Sequence, residues 1–304
     1  MKPFRFAVQA RPFDDRDGLV TVARRIEALG YEELYSYDHI GGVDPFIPLM
    51  VAAEATTRLR IGPLVLNNEF HHPAMVARTA ATVDRLSGGR LVLGLGTGYA
   101  QAEHDAIGLV LREPRTRVDR FEESVVVLRA LLDTGAADLD GVHHQIHLDD
   151  LGIRPVQARV PLLIGGYGRR VVGIAARHAD ILQFTGLTDG DDGQPTAAGF
   201  GIDAVRERSR WLADEAGART DDIERSALVQ AIDISDDATD RIGAMAERFD
   251  VSPEVIDSTP FVLVGPLGQI VDKLQRLRDD VGISHYVIRD PEGFAPVLEM
   301  LAGR

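Results

Sequence analysis

The chain alternates short, nearly continuous apolar runs with stretches in which apolar residues recur at helical spacing. Apolar runs without polar alternation are typical of parallel strands that are covered on both faces. The stretch that ends at Gly30 shows the helical spacing, with apolar residues at Leu19, Val22, Ala23, Ile26 and Leu29. The pattern predicts strands at residues 4–10, 33–37, 59–66, 90–95, 162–164, 181–184, 227–234 and 285–288.

Helices are predicted between these strands and after the last one. They span residues 18–29, 48–56, 73–86, 116–132, 169–178, 204–215, 237–248, 269–280 and 294–301. Strands that alternate with helices favour a parallel sheet covered by helices. Eight such units in 304 residues predict the α/β class and a single (β/α)₈ TIM barrel domain over residues 1–304.

Two long stretches interrupt the alternation. Residues 133–160 form an insertion before the fifth strand, and residues 185–201 follow the sixth strand directly. Loops of this length in a compact domain are usually functional. Because the loops that follow barrel strands lie at the active-site face, residues 185–201 are a candidate lid.

Composition narrows the possible functions. Lys and Arg number 33 and Asp and Glu number 47, which gives a net charge of −14. Such a surface repels phosphate backbones, so we expect no nucleic-acid partner. The absence of cysteine excludes disulfides, thiolate catalysis, iron–sulfur clusters and zinc–thiolate sites. No signal-peptide pattern and no run of about 18 apolar residues is found, so we expect a cytoplasmic protein without a membrane partner.

Two glycine-rich segments follow predicted strands. Gly94-Leu95-Gly96-Thr97-Gly98 ends the fourth strand, where glycines let backbone N–H groups approach a ligand. A tight turn explains this segment equally well. Gly165-Gly166-Tyr167-Gly168-Arg169 follows the fifth strand and opens a helix. A helix N-terminus attracts anions, so a cofactor phosphate fits there.

Candidate proton-transfer groups stand near the same strand ends. Asp38-His39 ends the second strand, and histidine titrates near neutral pH. Glu103 follows Tyr99 by four residues. The carboxyl group of Glu103 could transfer a proton or simply cap a turn.

Histidines elsewhere raise the question of a metal site. His71-His72 follow the third strand, and His143, His144 and His147 lie in the 133–160 insertion. We interpret that insertion as irregular or as a hairpin, where helical spacing carries no meaning. A solvated loop is therefore favoured, and no metal is predicted.

Together these motifs resemble the luciferase-like monooxygenase superfamily over nearly the whole chain. Leu86-Ser87-Gly88-Gly89-Arg90, followed by the glycine run, is the most specific match. The other matches are Ser36-Tyr37-Asp38-His39, Ile61-Gly62-Pro63-Leu64-Val65-Leu66, His72-Pro73 and Ile164-Gly165-Gly166. Within the superfamily the chain is similar to the branch that uses the deazaflavin coenzyme F420.

The resemblance implies a barrel in which the cofactor ring lies over a bulge with a non-proline cis peptide near Leu64-Val65. Asp38 would hydrogen-bond the ring, and His39 would face the reacting carbon. Gly165 and Gly166 would hold the phosphate end. The candidate cofactor-binding residues are Asp38, Leu64, Val65, Gly96, Thr97, Gly98, Gly165, Gly166, Tyr167 and Thr185.

The chain departs from the superfamily's sugar-phosphate dehydrogenases at two positions. Val43 stands where they carry a tryptophan, and Tyr99 stands where they carry a catalytic glutamate. A phenol, with a reference pKa of about 10, is a poor base at neutral pH but can donate a hydrogen bond or a proton. These departures argue against glucose 6-phosphate. An anionic substrate would need a local cation such as Arg169 or Arg11.

The resulting hypothesis is an F420-dependent oxidoreductase that transfers a hydride between deazaflavin C5 and a small organic substrate. His39, Tyr99 and Glu103 are its candidate catalytic residues, and the resemblance suggests a homodimer. An FMN-dependent monooxygenase, a barrel that carries a cofactor without turnover, and a (β/α)₈ enzyme of other chemistry are the alternatives.

Overall fold

The computed structural model describes residues 2–9, 13–189, 195–236 and 238–304. The strands are β1 (Arg5–Gln9), β2 (Glu33–Ser36), β3 (Arg60–Pro63), β4 (Leu66–Asn67), β5 (Leu93–Gly96), β6 (Ala137–Asp140), β7 (Gln145–Leu148), β8 (Leu162–Gly166), β9 (Ile181–Phe184), β10 (Thr188–Asp189), β11 (Pro195–Thr196), β12 (Glu224–Leu228), β13 (Ala231–Ile234), β14 (Val262–Gly265) and β15 (Ile283–Ile288). The helices are α1 (Arg16–Leu29), α2 (Ile47–Ala55), α3 (Pro73–Leu86), α4 (Gln101–Ile107), α5 (Pro114–Asp133), α6 (Arg169–His178), α7 (Ile202–Ala216), α8 (Ala238–Phe249), α9 (Pro253–Ser258), α10 (Leu267–Val281) and α11 (Pro291–Leu301).

Nine strands form one parallel sheet in the order β3-β2-β1-β15-β12-β9-β8-β5-β4. A parallel bridge between Ile61 and Leu91 joins β3 to the segment before β5, so the sheet is nearly closed. β3 and β4 belong to one run of chain that is divided at Leu64-Val65. The nine strands therefore occupy eight barrel positions, and the predicted (β/α)₈ barrel is confirmed.

The helix ends follow from local chemistry. The Asp15 carboxylate accepts from the backbone N–H of Gly18 and begins α1, as its acidic start suggests. Gly30 ends α1 in the left-handed region, with φ of 96°. Pro73 occupies the first turn of α3, where its missing N–H costs nothing.

The inward side chains of the barrel alternate along each strand. Their apolar members form a separate cluster composed of Ala7, Tyr35, Leu64, Val92, Leu163, Ile181 and Val287. The larger cluster lies between the sheet and the surrounding helices. A Cβ at Gly94 would lie 2.1 Å from the carbonyl oxygen of Pro63, so only glycine fits this close approach.

The predicted strand at 227–234 is wrong in its bounds. The barrel strand β12 begins at Glu224, and β13 leaves the barrel to pair with β14, which was not predicted. β12 starts with polar residues, and its inward Glu224 and Ser226 find partners only in the folded barrel. The helix predicted from residue 237 is observed from Ala238, and Asp237 lies outside the described residues. Helices α4 and α9 were also not predicted.

The insertion at 133–160 contains the antiparallel hairpin of β6 and β7. Asp84, fully buried on α3, anchors the following segment because its carboxylate accepts from the backbone N–H groups of Val156 and Gln157 at 2.7 and 3.0 Å. Within 185–201, β10 pairs with β11, and residues 190–194 lie outside the described part. The lid, the homodimer and the cytoplasmic location stay predictions. None of the described helices combines the length and the apolar character needed to cross a bilayer.

Candidate active site

A cavity of about 440 Å³ opens at the carboxyl ends of the barrel strands. This is the face at which barrel enzymes keep their active sites. Every residue predicted for catalysis or cofactor binding lines this cavity: His39, Tyr99, Glu103, Asp38, Leu64, Val65, Gly96, Thr97, Gly98, Gly165, Gly166, Tyr167 and Thr185. The fold thus brings together residues from five different strand ends.

His39 is held by Glu103 at one side of the cavity. The Nδ1 atom of His39 lies 2.7 Å from Oε1 of Glu103, and the backbone N–H of Ile40 donates to Oε2 at 3.1 Å. The carboxylate therefore fixes the ring by accepting from Nδ1–H, which leaves Nε2 for other partners. The hydroxyl of Tyr99 lies 3.4 Å from that Nε2. The three predicted catalytic residues form one continuous cluster.

Asp38 does not pair with its neighbour His39. Its Oδ2 accepts from the backbone N–H of Asn67 at 2.8 Å and lies 2.8 Å from Nε2 of His71. These two contacts tie the segment after β2 to β4 and to the segment that follows β4. Asp38 therefore holds the two strand ends in register beneath the cavity rim.

The peptide bond between Leu64 and Val65 is cis, as the resemblance implies. The carbonyl oxygen of Leu64 accepts from Nε2 of Gln9 at 3.0 Å. Arg289 donates to Oε1 of Gln9 at 2.9 Å and to Oε1 of Gln230 at 2.7 Å. Polar side chains from three neighbouring strand ends therefore support the wall formed by Leu64 and Val65.

The glycine run after β5 owes its composition to close packing. Gly98 has φ of 85°, and a Cβ there would lie 2.1 Å from Oδ1 of Asn67. Its carbonyl oxygen accepts from Nη1 of Arg117 at 2.8 Å. A Cβ at Gly96 would meet Val65 at 2.6 Å. The run lets the strand end pass directly beside the Val65 bulge.

The second glycine segment forms the opposite side of the cavity. Gly168 precedes α6, whose N-terminus has no side-chain cap. A Cβ at Gly168 would meet nothing within 4 Å, so packing does not require a glycine there. Arg169 is not among the residues that line the cavity, and Arg11 lies outside the described residues. Among the described residues, no cation of α6 lines this side of the cavity.

Buried polar atoms in the wall indicate that the cavity accepts a polar ligand. Nε2 of Gln183, Oγ1 of Thr185 and Nε of Arg117 are buried without a hydrogen-bond partner among the described residues. All three residues line the cavity. Buried polar groups in native proteins nearly always have a partner. A cofactor that carries carbonyl and phosphate oxygens fits this set of donors.

Sequence reasoning missed Gln9, Arg117, Gln183, Gln230 and Arg289, which also line the cavity. Four of them lie on barrel strands or within two residues of the end of one. Each stands two residues after an inward side chain, as Gln183 stands after Ile181. Period-two spacing along strands could have found these four. Arg117 lies on α5 and carried no such pattern.

Two histidines of the 133–160 insertion, His144 and His147, belong to local networks. His147 lies 2.6 Å from Asp138 and 3.3 Å from Asp140 across the β6–β7 hairpin. Nε2 of His144 lies 2.9 Å from the hydroxyl of Ser124, and burial lowers its pKa to about 4. Within the described ranges, no group of three acidic, histidine or cysteine side chains could hold a metal.

Val43, which stands where sugar-phosphate dehydrogenases carry a tryptophan, does not line the cavity. It faces a separate small pocket beside Tyr37 and Leu49. The side of the cavity next to His39 is therefore formed by Tyr99 instead. Tyr99 is 50% exposed and is in edge contact with the His39 ring.

Proteins of known function that resemble the chain include an F420-dependent dehydrogenase and a monooxygenase. It is 29% identical over 154 residues to 5,10-methylenetetrahydromethanopterin reductase of Archaeoglobus fulgidus, covering 51% of this chain and 45% of that protein. It is 32% identical over 184 residues to F420-dependent glucose-6-phosphate dehydrogenase of Amycolatopsis mediterranei, covering 58% and 55%. It is 33% identical over 164 residues to 4-hydroxyprotoasukamycin monooxygenase of Streptomyces nodosus subsp. asukaensis, covering 50% and 43%. The chain spans about half the length of the curated relatives it matches.

Solved structures share the fold over nearly the whole chain. The coenzyme F420-dependent tetrahydromethanopterin reductase of Methanopyrus kandleri superposes with a TM-score of 0.77 at 19% identity, covering 99% of this chain and 98% of that one. The long-chain alkane monooxygenase LadA superposes with a TM-score of 0.76 at 14% identity, covering 99% and 92%. At these identities the likeness shows the barrel alone.

The model of the luciferase-like monooxygenase family matches residues 3–249. This range contains every predicted site residue, from Asp38 to Thr185. The chain belongs to the luciferase-like monooxygenase family.

Proposed function

We propose that the protein is an oxidoreductase that transfers a hydride between coenzyme F420 and a small organic substrate. The observation that carries this proposal is the Glu103–His39 pair at 2.7 Å, set on the wall of the cavity with Nε2 beside the Tyr99 hydroxyl. Relatives named as F420-dependent enzymes support the choice of cofactor. Their identities of about 30% leave the substrate open.

The residues that would hold F420 lie around the cavity. Leu64 and Val65 offer an apolar wall for a ring system, and Thr97 lies at the neighbouring strand end. The N-terminus of α6 after Gly168 and the hydroxyl of Thr185 suit the phosphate end, because both present donors to an anion. Bound there, F420 would supply or accept two electrons as a hydride.

The side chains of this protein would manage the accompanying proton. When a hydride leaves or reaches a carbon that bears oxygen or nitrogen, a proton must move as well. Nε2 of His39 is placed to take or give that proton. Glu103 accepts from Nδ1–H and so holds the ring in place. Tyr99 donates a hydrogen bond at the same point.

An FMN-dependent monooxygenase is the second candidate. The relative named 4-hydroxyprotoasukamycin monooxygenase, at 33% identity, is the observation that favours it. If this protein were such a monooxygenase, oxygen would be its co-substrate and reduced FMN its electron donor.

Fluorescence titration of the purified protein with F420 and, separately, with FMN tests the two candidates. Micromolar binding of F420 with much weaker binding of FMN supports the proposed function. A preference for FMN, together with oxygen consumption in the presence of reduced FMN, favours the monooxygenase instead. If neither cofactor binds, both candidates are wrong.

A further inference from the structure

Three polar side chains meet inside the barrel below the cavity. The strand register pairs Ser226 of β12 with Gln183 of β9 on one side and with His285 of β15 on the other. Gln183 is 2% exposed, and Ser226 and His285 are fully buried. Polar residues at three adjacent inward positions are costly unless they satisfy one another.

These side chains form a hydrogen-bonded chain. The Ser226 hydroxyl donates to Oε1 of Gln183 at 2.7 Å, and Nδ1 of His285 lies 2.8 Å from the same hydroxyl. On its other side, Nε2 of His285 lies 3.1 Å from Oε2 of Glu33. Glu33 is buried and also accepts from the Tyr35 hydroxyl at 2.5 Å.

The Ser226 hydroxyl carries one proton, and this fixes which atoms donate and which accept in the hydrogen-bonded series. If the hydroxyl donates to Gln183, its oxygen must accept from Nδ1–H of His285. On the other side of the ring, Nε2 of His285 faces the Glu33 carboxylate. The order from Glu33 to His285 to Ser226 then holds Oε1 of Gln183 toward Ser226 and leaves Nε2 as the free end.

The amide group that carries this free Nε2 is part of the cavity wall. Gln183 lines it, and Nε2 has no partner among the described residues. If Gln183 served only to fill the core, an apolar side chain would fit without leaving a buried donor unpaired. Thr185, two residues further along the chain, faces the same cavity with its own unpaired hydroxyl.

We propose that Gln183 is a binding residue that donates from Nε2 to an oxygen or nitrogen acceptor on the ring of the bound cofactor. Ser226 and His285 are positioning residues, since they fix the amide so that its donor end faces the cavity. This inference rests on the proposed function, in that it assumes an F420 or FMN ring in the cavity. It adds a residue that none of the sequence motifs contains.

A double-mutant cycle on cofactor affinity tests the proposal. The variants are Gln183→Met, Ser226→Ala and the double variant, each titrated by fluorescence with the cofactor that the wild-type protein binds. Ser284→Ala is the matched control, because Ser284 is a buried serine on β15 adjacent to His285 and has no hydrogen-bond partner among the described residues. Thermal unfolding establishes that each variant is folded.

We expect Gln183→Met to raise the cofactor dissociation constant about 5- to 10-fold, the usual effect of losing one hydrogen bond to a neutral group. Ser226→Ala should raise it about threefold in the wild-type background and leave it unchanged in the Gln183→Met background. Ser284→Ala should bind as the wild type does.

Unchanged affinity in Gln183→Met overturns the proposal. An equal effect of Ser226→Ala in both backgrounds overturns the positioning role, because Ser226 then acts without Gln183. Should Gln183→Met fail to fold, the Ser226→Ala and Ser284→Ala pair decides, and equal affinities in these two variants overturn the proposal. A wild-type protein that binds neither cofactor overturns the proposed function itself, an outcome visible before any variant is made.

Discussion

Arg5 at the amino end of the barrel interior and Gln183 and Thr185 at the carboxyl end differ in whether their polar atoms are paired. At the amino end of the strands, Arg5 contacts the carboxylates of Glu32, Glu33 and Glu224, and the last two are buried. Arg5 thus gives each of these three carboxylates a partner of opposite sign. At the carboxyl end, Gln183 and Thr185 keep buried atoms that no described residue satisfies.

This difference separates stability from function. The contacts of Arg5 with its three carboxylates are complete without a ligand, so their loss should lower the free energy of unfolding. The open groups at the carboxyl end are satisfied only when something binds, so their loss should be felt in binding and turnover. The same inward alternation of side chains therefore builds a core at one end and a site at the other.

The largest expected effect is on turnover at the carboxyl end. His39→Ala should lower kcat by about 10²- to 10⁴-fold, because it removes the group that moves the proton. His39 is partly exposed and packs little, so the free energy of unfolding should change by less than about 0.5 kcal/mol. Single-turnover absorbance of the cofactor and thermal unfolding measure the two quantities. Full turnover in this variant would remove His39 from the mechanism.

Arg5→Met should show the reverse behaviour at the amino end. It leaves Glu33 and Glu224 buried without their cation and should lower the free energy of unfolding by about 3–5 kcal/mol. Cofactor affinity in the folded fraction should stay within twofold of the wild type. Urea unfolding and fluorescence titration measure the two effects, and a loss of affinity without a loss of stability would contradict the comparison.

The Arg5 network also carries a pH dependence. Burial alone would raise the pKa of Glu33, but His285, Arg5 and Tyr35 together hold that pKa well below its ordinary value of 4.5. Glu33 therefore contributes stability above about pH 4.5 that is lost as the pH falls toward the lower folded-state pKa. The stability difference between wild type and Arg5→Met should shrink on acidification in this range. A constant difference down to pH 3 would show that the Glu33 pKa does not depend on Arg5.

Glu103→Gln tests how much the charge of the carboxylate that holds His39 contributes to turnover. The amide keeps the shape of the side chain but replaces a charged acceptor for Nδ1 of His39 with a neutral one. We expect kcat to fall about tenfold, with cofactor affinity unchanged. An unaltered kcat, measured with the same absorbance assay, would restrict Glu103 to capping the turn at Ile40.

The smallest effect concerns a buried lysine away from both ends. Nζ of Lys273 on α10 donates to the carbonyl oxygens of Ile256 and Val262, and burial lowers its pKa to about 7. The unfolded chain keeps its proton up to about pH 10.5, so the wild type should gain stability relative to Lys273→Met as the pH rises above 7. The gain should be about 1 kcal/mol between pH 7 and pH 8. Urea unfolding at both pH values checks it, and no gain would mean that the buried amine stays charged.

The local pattern of the sequence was sufficient for most of the barrel. Apolar runs and glycine stops are read from neighbouring residues, so strands such as β9 and helices such as α1 were predicted closely. The pattern did not suffice for β12, because Glu224 and Ser226 are polar and so do not fit the pattern of a buried strand. They are paired with Arg5 and Gln183 only in the folded barrel. Those partners are more than 40 residues away along the chain.

The same division holds for the site. The sequence by itself determined the family, the barrel and the set of strand-end motifs around His39 and Gly165, since these depend on residue type and local spacing. Only the tertiary structure decided that Glu103, rather than Asp38, pairs with His39. It alone shows that Gln183 reaches the cavity with an unpaired amide. Both facts depend on which strands become neighbours when the barrel closes, and pairing between distant strands leaves no local trace in the chain.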